Sequence, residues 1–449
     1  MEINIVATTL LRVRELLAHD EVSGAIRLIE SLLPPDQADV FGELGADDQQ
    51  TLLPQLETEN AADILEELED EDAAELAGRM RARTLAPILD EMTPDKAADL
   101  LGDLEPSLSA AALAQMQEPD EVRPLLLHAD ETAGGLMTSE YLVFPQQMTA
   151  SQVLTALRAW EPRGTETPYV FVIDSDGRLV GVANVFQIIR ADVSETLSSL
   201  MDRAVMKAQV SDHQESAALL MSRYGLSAVP VVDDGNRLVG VITADDLVAV
   251  LEDEATEDIQ RISGSQPLER PYQDTSVLFG VRKRLGWLLL LFVTHTLSGT
   301  VMRVYEDQIA QVLILATFVP LLIGTGGNVG SQSSAMIIRA LAVGDVELRD
   351  SWRVLWREIL TGLALGVVLS IVAYIRAVTW GASPTVGLVV GSAILAIVVG
   401  ANCVGALLPL ISAKLRLDPA AVSAPMLDTV VDATGLLIYF SIAAAVLRI

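Results

Sequence analysis

Beyond Arg284 the chain becomes a succession of apolar runs, and these constrain its fold more than any other feature. Between Trp287 and Val304 only Arg303 is charged, and further runs cover Ile309–Ile323, Ile359–Ile375, Val386–Ala413 and Ala420–Leu447. Five runs close to the ~20 residues that cross a bilayer predict five membrane-spanning helices. The alternative, buried core helices of a soluble protein, calls for polar stripes that these runs mostly lack. Basic residues set the orientation. Arg282-Lys283-Arg284 precede the first run, Arg339, Arg349, Arg353 and Arg357 lie between the second and third, and Lys414 and Arg416 between the fourth and fifth. The other connections carry Glu306 and Asp307, or no charge around Trp380–Pro384. The positive-inside rule then predicts a multi-pass protein of the cell inner (plasma) membrane, with the N-terminus cytoplasmic and the C-terminus outside.

Within the spans the clearest charges are Asp428 and Asp432, four residues apart and so on one helix face. A carboxylate in hydrocarbon costs several kcal/mol unless it meets a wet cavity or a cation, which points to an ion or proton pathway. Asp432 lies a full turn deeper than Asp428, for which a hydrated place near the membrane surface is the competing reading. His295 is either a ligand or a polar packing residue. The run Gly324-Thr325-Gly326-Gly327-Asn328-Val329-Gly330-Ser331-Gln332-Ser333 follows no strand and precedes no phosphate-binding lysine, so it is not a nucleotide loop. Close approach of helices, or a broken helix whose carbonyls line a polar path, accounts for it. Gly362 and Gly366 read as helix packing.

Charge divides the chain sharply. Residues 271–449 carry 12 Lys/Arg against 10 Asp/Glu, leaving 18 against 51 for residues 1–270, a charge of −33 on the first part. Such a polyanion repels phosphate and excludes nucleic acid as a partner, while divalent cations are its natural counter-ions. Hard oxygen ligands suit Mg²⁺, Ca²⁺ or Mn²⁺, and a single cysteine, Cys403, excludes disulfide frameworks and cysteine-based zinc or iron–sulfur sites. Residues 1–130 show acids after alanine at Asp39, Asp63, Glu75 and Asp99, a rhythm near 12 residues that predicts short helices stacked as a superhelix.

A second repeat is plainer. Arg178-Leu179-Val180-Gly181-Val182 returns 59 residues later as Arg237-Leu238-Val239-Gly240-Val241, each copy after a β-rich run and an Asp/Gly turn. Leu136-Met137 and Leu200-Met201 open the two halves. Two strand–turn–strand units with flanking helices make an α/β pair resembling tandem CBS domains. Such pairs often bind adenosine nucleotides. Thr243 and Asp246 of the second copy are the candidates to hold a ribose of ATP, whereas the first copy has Asn184 and Gln187 at that turn. After this pair, Glu254, Glu257 and Asp258 share one helix face.

Pro320 to Ser333, with Asp418-Pro419-Ala420, Ser423, Pro425, Asp432, Gly435 and Tyr439, resembles the signature of the MgtE family of magnesium channels. The resemblance extends over nearly the whole chain. It implies a multidomain membrane protein: an acidic α-helical superhelical N-domain (1–130), α/β tandem CBS domains (131–252), a connecting plug helix (253–284) and a five-helix transmembrane pore domain (285–449). It also implies a homodimer whose pore carboxylate is Asp432, and regulatory Mg²⁺ on Asp63, Asp95, Asp246, Glu254, Glu257 and Asp258. Asp428 is not part of the family's motif, Ala424 stands where some members have asparagine, and His213 and Gly225 occupy two ligand positions. A smaller cytosolic site set is expected.

The expectation is therefore a Mg²⁺ channel or transporter that imports divalent cations and is gated by cytosolic Mg²⁺. The rival is a membrane-anchored CBS sensor of nucleotides or cations that transports nothing. No paired nucleophile and base supports an enzyme.

Overall fold

The computed structural model describes residues 3–160, 163, 167–268 and 275–448, without the side chains of 3, 4 and 421–425, so Ser423, Ala424 and Pro425 lie outside the described side chains. The chain divides into two compact units, Met1–Glu252 and Asp253–Ile449.

The 12-residue rhythm is a helix repeat. Helices start at Val22, Pro34, Ala46, Thr58, Asp70, Ala82, Pro94 and Pro106, each twelve residues after the last. Asp39, Asp63, Glu75 and Asp99 fall at the sixth position of their helices. Helices of two or three turns are not stable alone, and these pack on the helix two repeats further along. Pro34–Gly42 meets Thr58–Glu67, which meets Ala82–Glu91, and Asp70–Gly78 meets Pro94–Asp103. Ile29, Phe41, Leu52, Ile64, Leu85, Leu89 and Leu101 form the buried spine.

Three acids reinforce this stacking. Glu30 Oε1 accepts the backbone N–H of Glu57 (3.0 Å), Glu66 Oε1 that of Thr93 (2.5 Å), and Asp90 Oδ1 that of Gln117 (2.9 Å). Each clasp spans 27 residues and ends just ahead of a helix start, where backbone donors lack intrahelical partners. These carboxylates are structural, and nothing in their sequence neighbourhood sets them apart from solvated ones.

The CBS pair contains two small sheets. In the first, β1 (Val143–Pro145) runs parallel to β2 (Tyr169–Ile173), which pairs antiparallel with β3 (Leu179–Asn184). In the second, β4 (Ala208–Gln209), β5 (Ala228–Val232) and β6 (Leu238–Thr243) repeat the arrangement, including a register shift at the end of the middle strand. The turns need left-handed backbone, supplied by Gly177 (φ 78°) in one copy and Asn236 (φ 63°) in the other. The Leu-Met pairs do not serve the halves they open. Met201 covers Gly181 of β3 and Met137 covers Gly240 of β6; a Cβ on either glycine would stand 2.4 Å from the methionine sulfur. The copies thus exchange their covering residues.

In the second unit the five spans are Val277–Val304, Ile314–Ala342, Leu348–Thr379, Pro384–Lys414 and Met426–Leu447, the last within a longer helix, Pro419–Leu447. Two expectations about this region change. The residues after the CBS pair do not start a separate helix at 253. They continue the helix Ala244–Ile262, which stops before Gly264 (φ 75°), and residues 269–274 of the expected plug lie outside the described residues. The first span then begins not at 285 but at Val277, where the Ser276 hydroxyl accepts the Phe279 N–H (3.3 Å), placing Arg282-Lys283-Arg284 inside the helix. The first span consists of the helical stretches Val277–Thr294 and Thr296–Val304, joined at His295, which keeps a helical backbone (φ −62°, ψ −16°).

The glycine run does not break the second span, which is helical throughout Ile314–Ala342. Its glycines serve contact: a Cβ on Gly326 would meet Ile397 and Val431 at 2.9 Å, and one on Gly405 of the fourth span would stand 2.4 Å from the Gly330 carbonyl oxygen. Backbones this close leave no room for a methyl group. Gly405→Ala is therefore expected to destabilise the membrane domain by about 1–3 kcal/mol, seen as a lower midpoint of thermal unfolding in detergent. Gly400→Ala, with nothing within 4 Å of the new methyl, should leave the midpoint unchanged or slightly raised.

Candidate functional site

In the membrane unit the sequence candidates converge. Asp432 is buried, with 8% of its surface exposed, and its Oδ2 lies 3.7 Å from Nε2 of His295, where the two helical stretches of the first span join. One turn earlier, Asp428 faces the glycine run, since a Cβ on Gly327 would stand 3.7 Å from its Oδ1. Thr294 and Thr429, neighbours of His295 and Asp428, hold the first and fifth spans together through their hydroxyls at 2.9 Å. The buried Tyr439 hydroxyl donates to the Leu315 carbonyl (2.9 Å) and fixes the fifth span on the second.

Sequence reading passed over Glu358 because it sits at the edge of the third apolar run, beside Arg357. Its Oε2 lies 2.9 Å from the Ser333 hydroxyl, and its backbone carbonyl accepts from the buried Asn402 amide (3.1 Å). Ser333 also lies 3.2 Å from the Asn402 carbonyl, so its one proton serves either acceptor. This network ties the second, third and fourth spans behind the glycines. The polar pair Ser333 and Asn402 within apolar runs was its only sequence signal.

Near the start of the fifth span, Asp418 has two tasks. One oxygen accepts the Ala420 N–H (2.7 Å) as a helix cap, and the other takes a salt bridge from Arg261. Arg261 also pairs with Glu257. Of the three acids expected on one helix face, Glu257 is thus engaged by arginine. Asp258 is pushed upward in pKa by its burial and by the charges of Asp418 and Glu254, opposed by Arg339.

In the first unit the charge of Asp95 acts on Asp246, and Glu66 lies between Asp95 and Asp63 in the same acidic region. Asp95 is buried, 8% exposed, and bonded to the Thr138 hydroxyl; desolvation raises its pKa despite that bond. Thr243, expected to hold a ribose, donates its hydroxyl to Asp246, so the two candidates engage each other. Asp246 is raised to about 6 by burial and by the charge of Asp95. Asp63 is raised by burial and by Glu59. Two further residues belong here. Lys96 stays strongly basic although burial opposes its charge, because Asp99, Asp70, Asp246 and Asp95 surround it. Asp99 rises to about 7, mainly through desolvation and against the pull of Lys96. A small cleft lined by Glu66, Asp70, Lys96, Asp99 and Asp103 opens among them. Among the described residues no three His, Cys, Asp or Glu side chains already converge to hold a metal ion. Hydrated Mg²⁺, which retains several waters and takes one or two carboxylates, makes a smaller demand.

Five spans, one of which carries the buried carboxylate of Asp432, preceded by an acidic helical repeat and a CBS pair, have the architecture of a polytopic ion transporter with a large non-membrane unit. Residues 319–442 match the divalent cation transporter pattern of MgtE, residues 15–130 the MgtE intracellular N domain, and residues 133–194 and 197–253 the CBS domain. The magnesium transporter MgtE of Thermus thermophilus is 40% identical over 328 residues, 73% of each chain. That of Enterococcus faecalis is 33% identical over 335 residues, 74% of this chain and 73% of the relative. A crystal structure of the cytosolic domain of the Mg²⁺ channel MgtE in complex with ATP superposes with a TM-score of 0.51 at 30% identity, over 54% of this chain and 99% of that one. The chain belongs to the MgtE family of divalent cation transporters, and the relatives that match it over most of its length are magnesium transporters.

The raised carboxylates predict a pH dependence. A group whose folded pKa exceeds its unfolded value contributes stability below the unfolded pKa and loses it as pH rises through the folded one. With Asp246 near 6 and Asp99 near 7, the metal-free first unit should weaken between about pH 4 and pH 8. Proteolysis of the full-length protein in chelator should therefore be faster at the upper end, once corrected for protease activity. Asp99→Asn should flatten the profile, and an unchanged profile would contradict the assignment.

Proposed function

We propose that this protein imports Mg²⁺ through its membrane unit and that Mg²⁺ on the opposite, cytosolic side closes the path. The observation that carries conduction is the buried Asp432 on the fifth span, with Asp428 one turn away facing the second span's glycines. Selection of Mg²⁺ rests on the likeness to magnesium transporters. Asp432 holds the hydrated ion through its water shell, and Asp428 adds negative potential along the same face. The protein acts as a homodimer in the plasma membrane, N-terminus cytoplasmic and C-terminus outside, as the basic connections require. Its working divisions are an N-domain over 1–130, the CBS pair over 131–252, a connecting segment that begins within the helix Ala244–Ile262, and a pore domain whose first span starts at Val277.

In liposomes Asp432→Ala is expected to abolish divalent uptake with the protein still folded, Asp432→Asn to retain weak flux, and Asp428→Ala to cost less than Asp432→Ala. Uptake is read with a Mg²⁺-sensitive dye. Wild-type flux through a folded Asp432→Ala protein sinks the assignment, and no flux through the wild type favours a membrane-anchored sensor instead.

Gating follows from charge. Without divalent ions the carboxylates at Asp63, Asp95, Asp246, Glu254, Glu257 and Asp258 repel one another and their neighbours. Bridging Mg²⁺ removes that repulsion and stabilises the closed arrangement. A shift from 1:99 to 99:1 takes about 5.5 kcal/mol of differential binding, which several weak sites supply jointly. Arg261 already neutralises Glu257 and Asp418, so near the fifth span the burden of binding Mg²⁺ shifts away from Glu257 and towards Asp258. Millimolar Mg²⁺ should protect the cytosolic unit from proteolysis where equivalent monovalent salt does not. Replacing Glu254, Glu257 and Asp258 together with alanine should raise the cytosolic Mg²⁺ needed for closure in patch recordings. Normal closure of the triple variant, with proteolysis indifferent to Mg²⁺, would end the self-gating model.

A nucleotide at the CBS pair is a second reading, favoured by the ATP complex of the related cytosolic domain. Thr243 and Asp246 would then exchange their mutual hydrogen bond for the ribose.

A further inference from the structure

We propose that His295 gives this ion path an imidazole ligand, shared with Asp432, that binds Ni²⁺ and Co²⁺ more tightly than a path lined by oxygen alone. The inference rests on Asp432 lying in the path of conduction, as argued above. His295 sits where the two helical stretches of the first span join, and its Nδ1 lies 2.7 Å from the Leu291 carbonyl. A carbonyl only accepts, so Nδ1 carries the proton of that bond, and in the neutral imidazole Nε2 then presents its lone pair. This is the arrangement of metal-binding histidines, whose second ring nitrogen donates to a carbonyl or carboxylate. Nε2 faces the Asp432 Oδ2 at 3.7 Å, too far for a direct hydrogen bond, so in the neutral ring two acceptors confront one another across a gap.

A cation resolves that confrontation. Two ligands each about 2.1 Å from one ion stand about 3.0–3.6 Å apart at coordination angles of 90–120°, so the observed separation needs only a small side-chain rotation. The position is held by the Thr294–Thr429 hydroxyl contact immediately beside it, and Asp428 adds charge one turn along the same helix. His295 is also half-exposed, leaving its ring edge open to an arriving ion. Two protein ligands, with water completing the shell, suit a step that an ion must leave again.

The chemistry discriminates between ions. Mg²⁺ prefers oxygen and gives up water reluctantly, so it gains little from a ring nitrogen. Imidazole suits Ni²⁺ and Co²⁺, which also stand higher in the affinity order of divalent ions. Borderline metals are therefore held longer at this point than Mg²⁺, and act as slow permeants or blockers.

The test uses full-length protein in liposomes, with Ni²⁺ inhibition of Mg²⁺ uptake measured for wild type, His295→Ala and His295→Gln; the glutamine variant retains a polar side chain should alanine impair folding. The expected result is that the ratio of Ni²⁺ potency to Mg²⁺ half-saturation falls about 10- to 100-fold. The second readout is independent of transport: Ni K-edge X-ray absorption of the full-length protein in detergent. Imidazole scattering should be lost with His295 although three other histidines remain. An unchanged ratio together with an unchanged spectrum overturns the proposal, as does a signal that persists in both variants. Should wild-type liposomes take up no divalent ion, conduction fails as a reading, while the spectral difference still decides whether His295 binds metal.

Discussion

The membrane unit depends on one steric fact: the second and fourth spans touch backbone to backbone at Gly330 and Gly405. Lipid offers no hydrophobic force between helices, so packing of this closeness and polar bonds between spans must supply the association. The glycines provide the first. Glu358, Ser333 and Asn402 provide the second, each engaged on a different span. With the second span seated in this way, Tyr439 fastens the fifth span to the Leu315 carbonyl. The register that results places Asp428 opposite Gly327, so the position of the charge along the membrane is inherited from contacts that carry no charge.

The first unit solves a different problem, that of being compact at high negative charge. Part of its acid content is committed to structure: Glu30, Glu66 and Asp90 spend their charge on backbone donors three helices along. Another part is held partly neutral by burial, as at Asp99 and Asp246. Arg163 answers a third part, with salt bridges to Glu118, Glu121 and Glu140. What remains near Lys96 is a set of carboxylates with one ammonium among them, still short of positive charge.

Much of this was legible in the sequence. Span length and basic connections gave the five helices because bilayer thickness is a fixed ruler. The 12-residue period was visible from alanine–acid pairs because each repeat buries the same helix position. Other features were hidden for physical reasons. A clasp such as Glu66 to Thr93 is set by three-dimensional stacking, and a glutamate within an acidic chain carries no mark of it. The helix Ala244–Ile262 runs through the expected boundary at 253 because nothing before Gly264 interrupts it. The glycine run allowed either contact or a break, and only the packing of Ile397 and Val431 on Gly326 decides for contact. His295 was readable as a polar residue in a span, but its pairing with Asp432 requires knowing how the first and fifth spans meet.

The exchanged methionines bear on how the chain is made. Strand β3 is complete when residue 184 leaves the ribosome, yet the side chain that covers Gly181 belongs to residue 201, and Met137 waits for Gly240 about a hundred positions later. At roughly 5–20 residues per second, an apolar strand surface stays uncovered for seconds during synthesis. The first copy is therefore not covered until synthesis has entered the second. A duplication or loss of one copy would leave a methionine without its glycine, so the pair is inherited, translated and folded as a single object.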